Sequence, residues 1–283
     1  MSIIITTTTE RPAVTGERPA RTPKARTAAP GVDVTDAAID EACRTLHLPT
    51  IRGRYHQIAA DALREHASYK QFLAELLGCE VADRDERRKL RLVREAGFPR
   101  AKRLEDFDFA ANPHISPAAV NTLASTAWVR EGSPLCLIGD SGTGKSHLLI
   151  GIGTAVAEAG LRVKYTTTAN LVNELVEAAD EKHLTKTIAR YGRIDLLCLD
   201  EFGYLELDAA GGKLLFHIFT EREERKAIAV ASNASFSEWK RTFLDPRLCA
   251  AIVDRLTFNA HIIETGTDSY RLKSTRSRRQ KAA

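Results

Sequence analysis

The eight residues Gly139-Asp140-Ser141-Gly142-Thr143-Gly144-Lys145-Ser146 constrain this chain more than any other feature. They fit the spacing G-x-x-x-x-G-K-[ST]. An apolar run, Leu135-Cys136-Leu137-Ile138, precedes them, and a helical pattern from Lys145 to Glu158 follows. Strand, glycine loop and helix in that order form the context in which this spacing binds phosphate. Glycines let backbone N–H groups curl around an anion where a Cβ would clash. The helix N-terminus adds the positive end of its dipole. Lys145 is then placed to reach the β- and γ-phosphates of ATP, and the Ser146 hydroxyl to ligate Mg²⁺. A tight turn matching by chance is the alternative, and it weakens with each partner motif found.

The surroundings of the loop predict an α/β fold. Short apolar runs at 135–138, 162–165, 196–199, 227–230 and 261–263 alternate with helical segments near 145–159, 168–179, 208–225, 235–242 and 247–258. Such alternation argues for a parallel sheet covered by helices on both faces. Ahead of it, residues 36–100 read as a small all-helical domain, with Ile39, Cys43 and Leu46, and then Tyr69, Phe72, Leu73, Leu76 and Leu77, at helical spacing. Gly78 and Gly97 are the expected breaks. Residues 101–270 form the second domain, entered through a connector at 98–112. Residues 1–35, rich in Thr, Ala, Pro and Arg, read as a disordered tail, and 271–283 as a basic tail.

Three further groups carry chemistry. Asp200 and Glu201 end the apolar run Leu196-Leu197-Cys198-Leu199. Ligands of open α/β sheets sit at that edge. Asp200 is suited to holding Mg²⁺ through water and Glu201 to polarising an attacking water; the alternative is two acids that merely end a strand or cap a helix. Asn233, after Ser232 at the end of the 227–230 strand, either orients that water or serves turn chemistry. Arg255, in Asp254-Arg255-Leu256, is either an arginine finger for a neighbour's nucleotide or one half of a surface ion pair.

Charge is mild overall, +4 at pH 7, but it is bunched. Between residues 84 and 103, Arg84, Arg87, Arg88, Lys89, Arg91, Arg94, Arg100, Lys102 and Arg103 face three acids, Asp85, Glu86 and Glu95. This is either a solvated helix face or a surface for DNA phosphates, with Arg84, Arg87, Arg88, Arg91 and Arg94 as the candidate contacts. The apolar stripe beneath is expected at Leu90 and Val93. Five cysteines, scattered and never in C-x-x-C spacing, exclude a disulfide framework and a cysteine zinc site and fit a reducing cytoplasm. No run approaches the ~18 apolar residues of a membrane span, and Met1 to Thr9 lacks the pattern of a secretory signal.

Taken together, Gly139–Ser146, Asp200-Glu201-Phe202-Gly203-Tyr204-Leu205, Ser232-Asn233 with Phe236-Ser237-Glu238-Trp239, Asp254-Arg255-Leu256 and Ser269-Tyr270-Arg271-Leu272 resemble the IstB family. Members are AAA+ P-loop ATPases that act as transposition helpers, and they are similar to DnaC-type helicase loaders. The resemblance implies a five-stranded parallel sheet of order 5-1-4-3-2. It makes Asn233 a sensor and Arg255 a finger acting in trans. It also implies self-assembly with ATP on duplex DNA, with recruitment of a cognate transposase; helicase loading is the alternative. Two positions depart from the pattern: Glu223 stands where members often have Tyr, and Ala231 where they often have Thr.

Overall fold

The structure is a computed structural model that describes residues 34–270. The basic tail 271–283 lies outside the described residues, as does the expected disordered tail except for Val34 and Thr35, which already belong to the first helix. The chain divides into two compact units at Glu80/Val81.

The first unit contains α1 (Val34–Thr45), α2 (Pro49–Arg64) and the beginning of α3 (Tyr69–Glu95). Its small core is Cys43, Ile51, Tyr55, Ile58 and Leu76. Glu80, 3% exposed, accepts hydrogen bonds from the Thr50 and Ile51 N–H groups at 2.8 and 3.1 Å. These are orphan donors of the first turn of α2, so a carboxylate from 30 residues away does the work of an N-cap.

Within the expected helical region 36–100, α3 (Tyr69–Glu95) is continuous through the division at Glu80/Val81. Gly78 does not break it. An isolated helical glycine costs only about 1 kcal/mol relative to alanine, and strong helix formers flank this one. Leu92 (6% exposed) and Ala96 pack into the core of the second unit, whereas Leu90 is 60% exposed. The buried stripe is therefore Leu92, Val93 and Ala96, and the expectation for Leu90 is corrected.

In the second unit, α4 (Pro117–Ala124) and α5 (Ala127–Glu131) precede β1 (Leu135–Ile138). Then follow α6 (Lys145–Glu158), β2 (Val163–Thr167), α7 (Thr168–Asp180), α8 (Leu184–Gly192), β3 (Leu196–Phe202), α9 (Ala209–Arg222) and β4 (Ala227–Ser232). A 3₁₀ turn (Glu238–Arg241), α10 (Pro246–Thr257) and β5 (His261–Glu264) complete it. The five strands are parallel in the order β2-β3-β4-β1-β5, which is 5-1-4-3-2 read from the other edge. Helices α4, α5 and α8 were not anticipated. The signal for α8 was present in Leu184, Ile188 and Tyr191, which pack on the core.

Burial on both faces explains the unbroken apolar runs. Leu135 and Leu137, Leu196 and Cys198, and Ala227, Ala229 and Ala231 point to the side covered by α6. Cys136 and Ile138, Leu197 and Leu199, and Ile228 and Val230 point to the side covered by α7, α9 and α10. A fully buried leucine such as Leu148 or Leu215 contributes about 1.5–3 kcal/mol. Ala231 lies in the α6 core at 1% exposure, where a methyl fills the space with no hydroxyl to satisfy. Both tryptophans are buried, Trp128 at 3% and Trp239 at 0% exposure.

Candidate functional site

The loop between β1 and α6 takes the conformation that its glycines allow. Gly144 has φ +103°, and a Cβ there would come within 2.7 Å of the Phe107 ring. That ring arrives from the 98–112 connector, which packs against the loop within the second unit. Lys145, 6% exposed, donates to the carbonyls of Gly139 and Asp140 at 2.6 and 2.7 Å. Its ammonium thus sits inside the curl of the loop.

Residues that sequence reasoning did not single out pin the loop from outside. Buried Asn112 donates through Nδ2 to the carbonyls of Thr143 and Thr265, both at 2.9 Å. The Thr143 and Thr265 hydroxyls share a hydrogen bond of 2.6 Å. The Asp140 N–H donates to Gly266 O and the Tyr270 N–H to Gly142 O, each at 3.0 Å. The segment after β5 is therefore strapped across the loop, which places Ser269 and Tyr270 of the last motif there; Arg271 and Leu272 lie outside the described residues.

Asp200 and Glu201 stand at the carboxyl end of β3, beside the loop. The register with β4 shifts between Leu199 and Phe202, and Glu201 has φ +58°. A left-handed non-glycine residue costs about 1–2 kcal/mol, and here it turns Glu201 out to an exposed position while Asp200 stays buried. Asp200 Oδ1 accepts from the Glu201 N–H at 2.9 Å and Oδ2 from the Tyr165 hydroxyl at 2.7 Å. Burial, followed by the bond and charge of Asp200, raises the Tyr165 phenol well above its ordinary pKa, so it remains a donor.

Asn233 is placed by a buried polar turn. The Ser232 hydroxyl donates to Ala234 O at 2.7 Å and accepts from the Ala234 N–H at 3.1 Å and Trp239 Nε1 at 2.9 Å. Trp239 in turn leaves room only for glycine at 203, where φ is +80° and a Cβ would meet the indole at 2.9 Å. The blocks Asp200–Leu205 and Phe236–Trp239 thus pack on each other, which explains why both occur in one sequence.

These parts meet in one cleft of about 410 Å³, lined by the loop from Ser141 to His147 and by Asp200, Glu201, Asn233 and Tyr270. A cradle of N–H groups, an ammonium, a hydroxyl and two carboxylates is a donor set that fits a triphosphate with Mg²⁺; Ser146 and Asp200 are the residues suited to hold the cation.

Arg255 does not line this cleft. It lines a separate cavity of about 260 Å³ with Glu223, Pro134 and Ile228, at the entry to β1 and β4. Its Nε lies 2.8 Å from Glu223 Oε2, an ion-pair distance without hydrogen-bond alignment. Its Nη1 donates to Ala251 O at 3.1 Å, and its guanidinium stacks over Phe216 at 4.7 Å. Below it, Arg222 is 1% exposed and donates to the carbonyls of Tyr191, Ile194, Asp195 and Ala227. Burial lowers its pKa to about 10, which leaves it charged at neutral pH.

Arg84, Arg87, Arg88, Arg91 and Arg94 are all exposed on α3. At about 100° per residue they fall within an arc of about 120°, whose middle lies about 100° from Leu92 and about 140° from Ala96, with Arg88 at the edge nearest Leu92. Arg87 Nε donates to Asp83 O at 3.0 Å, Arg91 lies 3.6 Å from Glu95, and Arg88 reaches Gly160 O, 72 positions away, at 3.5 Å. The described cysteines are all free thiols, and no described helix is long and apolar enough to cross a membrane.

A family model described as IstB-like ATP binding protein matches residues 41–278. An insertion-sequence ATP-binding protein of Sinorhizobium fredii is 39% identical over 242 residues, 85% of this chain and 81% of its own. That of IS5376 from Geobacillus stearothermophilus is 32% identical, covering 86% and 97%. Among solved structures, AMPPCP-bound DnaA from Aquifex aeolicus superposes with a TM-score of 0.53 at 22% identity; the match covers 65% of this chain and 56% of that one, and shows a shared fold.

Proposed function

The chain belongs to the IstB-like ATP-binding family of insertion sequences, and from that premise we propose that it hydrolyses ATP to control its own assembly on duplex DNA and the recruitment of a transposase. The observation that supports this most is the convergence of Lys145, Ser146, Asp200, Glu201 and Asn233 on one cleft. The names of the relatives point to transposition over helicase loading.

In this reading Lys145 exchanges the carbonyls of Gly139 and Asp140 for phosphate oxygens. Ser146 and Asp200 would hold Mg²⁺, whose charge would offset that developing on the phosphates. Glu201 accepts a proton from the water that attacks the γ-phosphorus as the bond to the ADP oxygen breaks, and Asn233 orients that water. Arg255 serves the nucleotide of an adjoining copy. It must first leave Glu223, so the Glu that replaces the family's usual Tyr competes with the finger. The arginine face of α3 grips DNA phosphates without reading sequence.

The test is ATPase rate and particle size with and without duplex DNA, for the natural chain and for Glu201→Gln. Hydrolysis in the variant should fall by about 100-fold or more, and ATP should trap large complexes on DNA. A particle that stays monomeric, with a rate indifferent to duplex, would defeat the proposal; preference for single strands would favour helicase loading.

A further inference from the structure

We infer that Tyr165 is a positioning residue for the Asp200 carboxylate, holding it in the orientation in which it binds a divalent cation; the inference rests on the metal-holding role proposed for Asp200. Tyr165 lies on β2, beside Cys198 in the parallel register, and Asp200 follows Cys198 by two residues on β3. Alternate residues of a strand share a face. Phenol and carboxylate are thereby put on the same side of the sheet, and the long aromatic side chain reaches Asp200 Oδ2 at 2.7 Å. The other oxygen is taken by the Glu201 N–H at 2.9 Å. With one donor on each oxygen and 7% exposure, the carboxylate has a single well-determined rotation.

Tyr165 is itself anchored. Its N–H donates to Ala96 O just beyond the end of α3 at 2.8 Å. Its ring packs edge-on against Phe98, with centroids 6.0 Å apart. If this tyrosine served only to fill space, phenylalanine would serve equally well, because the hydroxyl adds nothing to packing. The 2.7 Å bond to a buried carboxylate is what distinguishes the two residues.

The test is Tyr165→Phe in the full chain, which keeps the ring and its packing. Binding of a fluorescent, non-hydrolysable ATP analogue is titrated with Mg²⁺. The Mg²⁺ concentration at half-effect should rise by about tenfold, the lower end of losses on removing an outer-shell partner. Affinity for the analogue in EDTA should not move, and the thermal unfolding midpoint should fall by only a few degrees, the cost of one buried acceptor left without its donor. In an Asp200→Asn background, which alone also raises the Mg²⁺ midpoint, Tyr165→Phe should add nothing. If Asp200→Asn raises the midpoint and Tyr165→Phe does not, this inference fails and the role of Asp200 stands. If neither moves it, both fail. Equal weakening with and without Mg²⁺ would make Tyr165 a packing residue and overturn the inference as well.

Discussion

Lys145 and Arg87 carry the same charge in opposite settings. Lys145 is buried at the bottom of a cleft, with its ammonium on two carbonyls at 2.6 and 2.7 Å. Arg87 stands on an exposed helix face, where its Nε donates to the Asp83 carbonyl a turn away. In the cleft each group has a named partner, so the loss of one atom leaves another unsatisfied. On α3 the charges act as a sum, each screened by water and salt. Under the proposed function, recognition of a phosphate chain by position and attraction to a phosphate surface by charge density would differ in their sensitivity to single changes.

The largest expected effect probes the positional side. Lys145→Ala should weaken ATP binding about 100-fold, two charge-assisted bonds at about 1.5 kcal/mol each. Calorimetric titration showing a change under threefold would erase the contrast. Next comes the collective side. Arg87→Glu, Arg88→Glu and Arg91→Glu together should weaken duplex binding roughly 10- to 100-fold and make its dependence on log salt shallower by about three. Fluorescence anisotropy across a salt series measures both, and an unaltered slope would mean that α3 does not contact phosphates. Between the two regions, Gly144→Ala adds a Cβ against Phe107 at a φ of +103°; about 1–2 kcal/mol of strain should weaken nucleotide binding about tenfold. A normal affinity would show that the connector yields. Smallest is Glu223→Gln, which removes the partner of Arg255; its stability cost should stay below about 1 kcal/mol in a denaturant midpoint. A larger loss would place Arg255 with buried Arg222 as a structural residue.

Residue spacing revealed what local geometry governs. A loop of eight residues between a strand and a helix is specified within its own length, and so is the placement of acids at a strand end. Asn233 was readable as a residue at a strand end, whereas the turn that holds it depends on Trp239 and Ser232 meeting in space. The partners of the cleft lie far off in sequence. Asn112 reaches Thr143 and Thr265 across 31 and 153 positions, and Tyr165 reaches Asp200 across 35. Leu90 and Leu92 are equally apolar, and only the packing of α3 on the sheet selects Leu92 for the core.

What the chain's sequence determined alone is the set of short-range parts: a phosphate loop, three apolar central strands, two acids and a helix with an arginine face. These follow from backbone freedom, hydrophobic period and charge, which act over a few residues. Only the tertiary structure decided which distant groups would hold those parts still: Asn112 and Thr265 on the loop, Tyr165 on Asp200, Glu223 on Arg255, Glu80 on α2. A hydrogen bond between residues far apart in the chain leaves no periodic trace, because its geometry exists only once the sheet has closed and the dry core has made an unpaired polar group costly.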